Sequence, residues 1–353
     1  MLSSCTGINM SNRFIYCSDG KMKALHEDLL VDINLRTCVN KFMYVGRVTK
    51  CGILFTSDTK QYLNRMSNYF SEDSIIDFTG PLILVKFNTE YLSKYHKNSI
   101  YWIAEKNGVQ KGENSEAYYY EWGDYLVTID KSLCVVEVYN RKDADFDKFL
   151  PYFIKILEGV IISLHIRMGF FPVHGGLLKK EKGNYLILGD SQAGKTTVMG
   201  LLQSQGYEYL SDDIVFFDLN GRAYPFGNYK KVMEQEEKSG CFYEKCDGIV
   251  RRVEKIPGMT SKEGLFIDKI LLPGIKYMPE CRVTLCTKSS WILTGLLAEY
   301  PCGYFVWEKY LFSRSISVIN ELSKKETYNL ELAYGKPNEE AIRVWEGGEL
   351  LTC

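Results

Sequence analysis

Nine consecutive residues carry the sharpest chemistry in the chain. Asn184–Leu188 reads as a short apolar strand and runs straight into Gly189-Asp190-Ser191-Gln192-Ala193-Gly194-Lys195-Thr196-Thr197. This matches the pattern G-x4-G-K-[ST], in which glycines let backbone N–H groups curl inward around phosphate oxygens. A helix over Lys195–Gln203 aims its positive N-terminal end at the same place. In such a loop Lys195 contacts β- and γ-phosphate oxygens, and the hydroxyl of Thr196 ligates Mg²⁺. A glycine turn between strand and helix is the plainer reading. The strand–loop–helix context is what a phosphate loop requires, and it favours nucleotide binding.

The residues that follow narrow the chemistry. Gly206 ends the helix, Tyr207–Leu210 reads as a strand, and Ser211, Asp212 and Asp213 come next. Seventeen residues separate Lys195 from Asp212. A helix of ~10 residues climbs about 15 Å, and a short parallel strand brings the chain back. The acidic pair is therefore expected at the carboxyl end of a strand adjacent to the loop's own strand, where α/β sites are built. One carboxylate can bind a metal while the other accepts a proton from an attacking hydroxyl. Adjacent aspartates are often only turn formers; at this spacing the functional reading is preferred.

The elements that must hold these residues fall into two textures. Residues 1–145 read as a β-rich α+β domain. Asn107-Gly108 and Asp130-Lys131-Ser132 mark hairpins, the second between Tyr125–Ile129 and Leu133–Tyr139, and Thr59–Phe70 has a helical piece. No chemical motif appears there. Residues 146–353 read as an α/β domain. It opens with a helix over Phe149–Met168 stopped by Gly169, and strands and helices alternate from Pro172 onward. Further helices are expected at Ser290–Glu299, Val306–Leu322 and Glu339–Trp345, the last capped by Asn338, with a strand at Asn329–Tyr334.

Bulk properties limit partners. The chain has 353 residues, 46% hydrophobic and 25% charged, with a net charge of −1. That balance makes nucleic acid and anionic membrane poor partners. Polar interruptions such as Asn9, Asn12, Arg13 and Asp19 break any signal-peptide core in the first thirty residues. The most apolar stretch, Leu157–Ile166, is broken by Glu158 and His165 and is expected to be too short to span a bilayer. Eleven cysteines, scattered and odd in number, read as reduced, and the chain as cytoplasmic. Cys281 and Cys286 sit five apart on an expected strand and so point to opposite faces, which argues for buried apolar cysteines over zinc.

Taken together, His174-Gly175-Gly176-Leu177-Leu178, then Gly189–Thr197, then Leu210-Ser211-Asp212-Asp213 resemble the catalytic domain of the HPr kinase/phosphorylase family. The likeness is to the relatives that act on peptides or free serine. Fifteen residues separate His174 from Gly189. Asp268–Pro273 and Tyr328–Gly335 with Asn338–Trp345 extend the likeness, so it covers roughly residues 150–350. The resemblance implies a phosphoenolpyruvate-carboxykinase-type P-loop core, with ATP and Mg²⁺ as cofactors. It implies transfer to a hydroxyl, a serine's first of all, on a peptide, protein or small molecule. It further implies Asp212 as general base, Asp213 with Thr196 on the metal, and His174 lining the site. A histidine before two glycines could equally be a satisfied turn residue. The family's Arg-Gly-Leu-Gly signature is missing: the corresponding stretch is Tyr224–Val232. HPr itself is therefore not the expected acceptor. Lys230, Lys231, Arg251 and Arg252 read better as surface charges than as phosphate contacts. Assembly into a homo-oligomer stays open.

Overall fold

The computed structural model describes residues 8–9, 14–17, 41–48, 50–72, 81–88, 100–106, 108–141, 144–181, 183–190, 193–226, 229–233, 241–246, 249–256, 264–278, 280–286, 311–334 and 345. The expected helix at Ser290–Glu299, the start of Val306–Leu322 and most of Glu339–Trp345 lie outside them. The architecture is mixed α/β, with large sheets and few helices.

The chain forms two compact units. The first comprises Met1–Ile161 and Lys231–Lys255, the second Ile162–Lys230 and Ile256–Cys353. This outline differs from a single cut at residue 145, because the chain leaves the second unit at 231 and returns at 256.

The first unit is built on an eleven-stranded sheet. Its strands are β1 (Ile8–Asn9), β2 (Phe14–Cys17), β3 (Lys41–Val48), β4 (Cys51–Ser57), β5 (Ser71–Glu72), β6 (Leu82–Asn88), β7 (Tyr101–Lys106), β8 (Val109–Glu113), β9 (Ala117–Trp122), β10 (Tyr125–Asp130) and β11 (Val135–Asn140). The order is β1-β2-β3-β4-β6-β11-β10-β9-β8-β7, with β5 on β3. Both hairpins read from the sequence form. Gly108, at φ 73°, turns β7 into β8, pairing Lys106 with Val109. Asn107 lies outside the described residues. The second turn ends at Leu133, whose φ of 66° is unusual for a branched residue. Asp130 braces it by accepting the Val135 N–H at 2.8 Å. Helix α1 is Lys60–Met66. Residues 231–255 supply strands of a separate three-stranded sheet, β17 (Tyr229–Met233), β19 (Ile249–Lys255) and β18 (Phe242–Cys246) in that order.

Helix α2 (Phe146–Arg167) starts three residues before the expected position and carries the chain from one unit into the other. Its 22 residues, of which Leu157–Ile166 is one part, are long and apolar enough to cross a membrane by length and composition. Buried share settles its role: 78% of its most apolar window is inside the protein, as in a core helix. In the first unit Phe149 stacks on Tyr125 at 4.1 Å, and Phe153 meets Phe87 edge-on.

The second unit carries the glycine-rich loop and the acidic pair. Its strands are β12 (Phe171–Lys180), β13 (Gly183–Leu188), β14 (Glu208–Ser211), β15 (Ile214–Phe217), β16 (Arg222–Pro225), β20 (Leu265–Phe266), β21 (Lys269–Lys276), β22 (Arg282–Leu285) and β23 (Glu326–Ala333); its helices are α3 (Lys195–Ser204) and α4 (Leu311–Leu322). The sheet runs β20-β16-β15-β12-β13-β21-β23-β22, with β14 also on β12. Only β13–β21 and β21–β23 are parallel. One expectation fails here. The strand bearing the acidic pair, β14, is not adjacent to the loop's strand β13. A β12–β13 antiparallel hairpin, with Gly175 opposite Leu188, occupies that position, so β12 lies between them. The α3 crossover passes over one strand and lands on the next. Asp212 still follows the carboxyl end of β14.

Gly175 and Gly176 are explained by packing. A Cβ on Gly175 would stand 2.7 Å from the Ile187 carbonyl oxygen, and one on Gly176 would collide with Met199 of α3. Met199 is fully buried in the cluster of Ile187, Val198, Leu202 and Leu330 beneath α3. Gly175→Ala is therefore expected to destabilise more than Gly176→Ala, by about 1–3 kcal/mol, because backbone yields less readily than a thioether. Urea melts of both variants check this; equal midpoints would show that the β12–β13 contact can relax.

Candidate functional site

The loop after β13 joins that strand to helix α3, the order in which the motif was read. Gly189 is buried, and a Cβ there would sit 3.1 Å from Ala193 Cβ and 3.6 Å from the Pro273 carbonyl oxygen. The Ala193 N–H donates to the Asp190 carbonyl at 3.2 Å, tightening the turn. Gly194 takes φ 96°, a left-handed conformation that costs a residue bearing Cβ about 1 kcal/mol or more. Its missing Cβ also faces Ile275 at 3.0 Å and Leu332 at 3.5 Å. Ser191 and Gln192 lie outside the described residues.

Helix α3 starts at Lys195 with no side-chain cap and no acidic residue in its first turn. The first-turn N–H groups of a helix have no intrahelical acceptor, so this end is suited to an anion. Thr196 and Thr197 stand exposed on that turn. Lys195 is buried, and its ammonium folds back to donate to the carbonyls of Gly189 at 2.7 Å and Asp190 at 2.9 Å. Burial pushes its pKa down, while Asp213, Asp212 and Asp190 push it up. The cation and the acidic pair therefore share one electrostatic neighbourhood.

The acidic pair occupies a built turn. Ser211 is fully buried; its hydroxyl donates toward the Ile214 and Phe226 carbonyls, each at 2.7 Å, and accepts the Phe226 N–H at 2.9 Å. Asp213 has φ 63°, in the left-handed region an aspartate tolerates better than most residues. Its N–H donates to Asp212 Oδ1 at 3.0 Å, and the Ile214 N–H to the Asp212 carbonyl at 2.7 Å. Asp212 is partly buried and Asp213 exposed. Desolvation, then the Asp213 charge, raise the Asp212 pKa to about 6; Tyr209 and Lys195 act the other way. A carboxylate so tuned can take up a proton near neutrality.

His174 is not a turn residue: it lies within β12, paired with Ile214 of β15. Its Nδ1 is 2.9 Å from the Asp213 carbonyl oxygen, and the Gly175 N–H donates to the same oxygen at 3.1 Å. Burial and the nearby Lys195 charge lower the imidazole pKa, so the ring is held neutral. Nδ1 then carries its proton toward that carbonyl, and His174 ties the turn at Asp213 to the strand beside the loop.

The other cations flagged in the sequence are elsewhere. Lys230 donates to Gln203 Oε1 at 3.1 Å and lies over the Tyr209 ring. Arg251 and Arg252 lie on β19, in the first unit, where Arg252 pairs with Glu254. Asp268 braces the opposite end of the sheet, accepting the Asn184 N–H at 2.8 Å. No group of three or more His, Cys, Asp or Glu side chains able to hold a metal occurs among the described residues. The sequence reading placed Ser211 in the motif without seeing its part in bracing the turn. A small hydroxyl residue before two aspartates is the signal that could have found it.

No family model matches the chain, and no curated protein matches it. Among solved structures, the Hpr(Ser) kinase/phosphatase from Coxiella burnetii is similar to this chain, with 11% identity, a TM-score of 0.24, and coverage of 50% of this chain and 89% of that one.

Proposed function

We propose that the chain is an ATP-dependent phosphotransferase that moves the γ-phosphoryl group onto a hydroxyl, preferably a serine's, of a peptide, protein or small molecule. The observation that carries this reading is that Lys195 is bound to the loop between β13 and α3 while His174 is bound to the Asp212–Asp213 turn, with the four groups near enough to shift one another's charge. Backbone N–H groups of Gly189–Thr197 and the Lys195 ammonium hold the β- and γ-phosphates. An ammonium has three donors, two of which already fix the loop carbonyls, so the phosphate is met by a cation whose position is set.

The donor set fits magnesium: Thr196 offers a hydroxyl on the first turn of α3, and Asp213 an exposed carboxylate. Bound there with ATP, magnesium supplies neutralisation of charge on the phosphate oxygens. Asp212 takes the proton from the acceptor hydroxyl. A bond forms between that oxygen and the γ-phosphorus, the bond to the β-phosphate oxygen breaks, and ADP leaves. His174 positions Asp213 through its carbonyl.

Labelled ATP mixed with free serine, seryl peptides and HPr tests the reading. Label is expected on a seryl acceptor, with no useful rate on HPr. Release of free phosphate alone would make the protein a nucleotide hydrolase, and bound, unreacted ATP a non-catalytic partner. A pH profile gives a second check. Asp212 must be ionised to act as base, and its pKa is raised to about 6, so kcat/KM should fall as pH drops through that value. At pH 5 it should be roughly a tenth of its value at pH 7.5. A flat profile between these limits would remove Asp212 from the base role.

A further inference from the structure

Two large aromatic side chains stand in water just beyond the phosphate loop. Tyr277 is 88% exposed and Tyr334 62%, the two most exposed large hydrophobic side chains among the described residues of the second unit. Their ring centroids are 4.8 Å apart. They follow the carboxyl ends of the parallel strands β21 and β23, and the Tyr334 N–H donates to the Lys276 carbonyl at 2.9 Å, which fixes one residue beside the other.

Strand register ties this pair to the loop. Ile275 and Leu332 are direct partners across β21 and β23. Both side chains abut Gly194, the residue that opens α3. Tyr277 and Tyr334 each come two residues later, just past the strand ends, where the Met278 N–H closes a tight turn onto the Lys276 carbonyl at 3.1 Å. Lys276 and Glu331 pair on alternate positions. Exposed rings this close to an anion site, at the carboxyl edge of the sheet, are arranged for a ligand with both a charged end and a flat apolar end.

We infer that Tyr277 and Tyr334 form the platform on which the base of the nucleotide stacks while its phosphates occupy the loop at Gly189–Thr197. This rests on the nucleotide-binding reading above and extends it to the base. A nucleoside triphosphate carries its base one phosphate and one ribose beyond the β-phosphate, so a phosphate loop calls for an apolar surface within that reach. Aromatic faces stack any base, so the platform supplies affinity rather than a choice between adenine and guanine.

Calorimetric titration of the full-length chain with magnesium–ATP and with magnesium and inorganic triphosphate separates base from phosphate. Tyr277→Ala and Tyr334→Ala are each expected to weaken ATP by roughly tenfold and to leave triphosphate unchanged. Tyr277→Phe should keep wild-type affinity, because the ring and not the hydroxyl does the stacking. ATP affinity unchanged in both alanine variants, with triphosphate still bound, overturns the platform alone. Equal weakening of ATP and triphosphate overturns it too, since the rings would then be shaping the loop. A wild-type chain that binds neither ligand overturns the phosphate site, and the platform with it.

Discussion

Asp212→Asn is expected to lower the phosphoryl-transfer rate by about 10²–10⁴-fold while nucleotide affinity changes little. The amide keeps the size of the carboxylate, and its oxygen can still accept the Asp213 N–H that now reaches Asp212 Oδ1 at 3.0 Å. It cannot take up a hydroxyl proton. Replacing the carboxylate also removes a half-buried charge whose ionisation is opposed by desolvation and by Asp213, so the fold should not suffer. Asp213→Asn should do the reverse: weaken metal binding, with the base left in place. Single-turnover rates with the true acceptor, alongside ATP titrations, distinguish the two. Near-normal turnover in Asp212→Asn would show that the pair only shapes the turn that Ser211 anchors.

Local features of this site were legible in the sequence, and non-local ones were not. Gly189, Gly194 and Lys195 announce the loop because a tight turn, a left-handed helix start and a buried cation are demands of a few contiguous residues. The strand before the loop and the helix after it follow from the same short range. Adjacency in the sheet does not. Nothing in Tyr207–Leu210 says that β14 will pair with β12 instead of β13, since that choice depends on β12 pairing with β13 as a hairpin. The glycines after His174 are strand residues kept small by Ile187 against Gly175 and Met199 against Gly176, twelve and twenty-three positions away. The place of His174, read as lining the site or as a turn residue, depends on the same kind of distant pairing. Its partner carbonyl belongs to Asp213, brought beside it by the β12–β15 ladder. The excursion of residues 231–255 into the first unit leaves no composition signal, because the strands there carry the same mixed polarity as those around them.

Lys195→Ala is expected to abolish tight ATP binding. Loss of one charge-assisted contact costs about 2–3 kcal/mol, well over tenfold in affinity. The structure also bears on whether such a variant folds. The ammonium donates to the Gly189 and Asp190 carbonyls, so its removal leaves two acceptors to be satisfied by water at the mouth of the loop. Against that, burial already disfavours the charged form, and its removal relieves that desolvation cost. The two effects oppose each other, and β13, α3 and the apolar cluster beneath them, including Val198, Met199 and Leu202, are untouched. A thermal melt close to wild type should therefore accompany the lost affinity. Lys195→Met, which keeps most of the buried stem, should bind ATP as poorly as the alanine variant, because it is the charge and not the packing that is missing. Calorimetric titration with magnesium–ATP reads the outcome. Unchanged affinity in a folded Lys195→Ala protein would mean that the segment from Gly189 to Thr197 is only a turn between a strand and a helix.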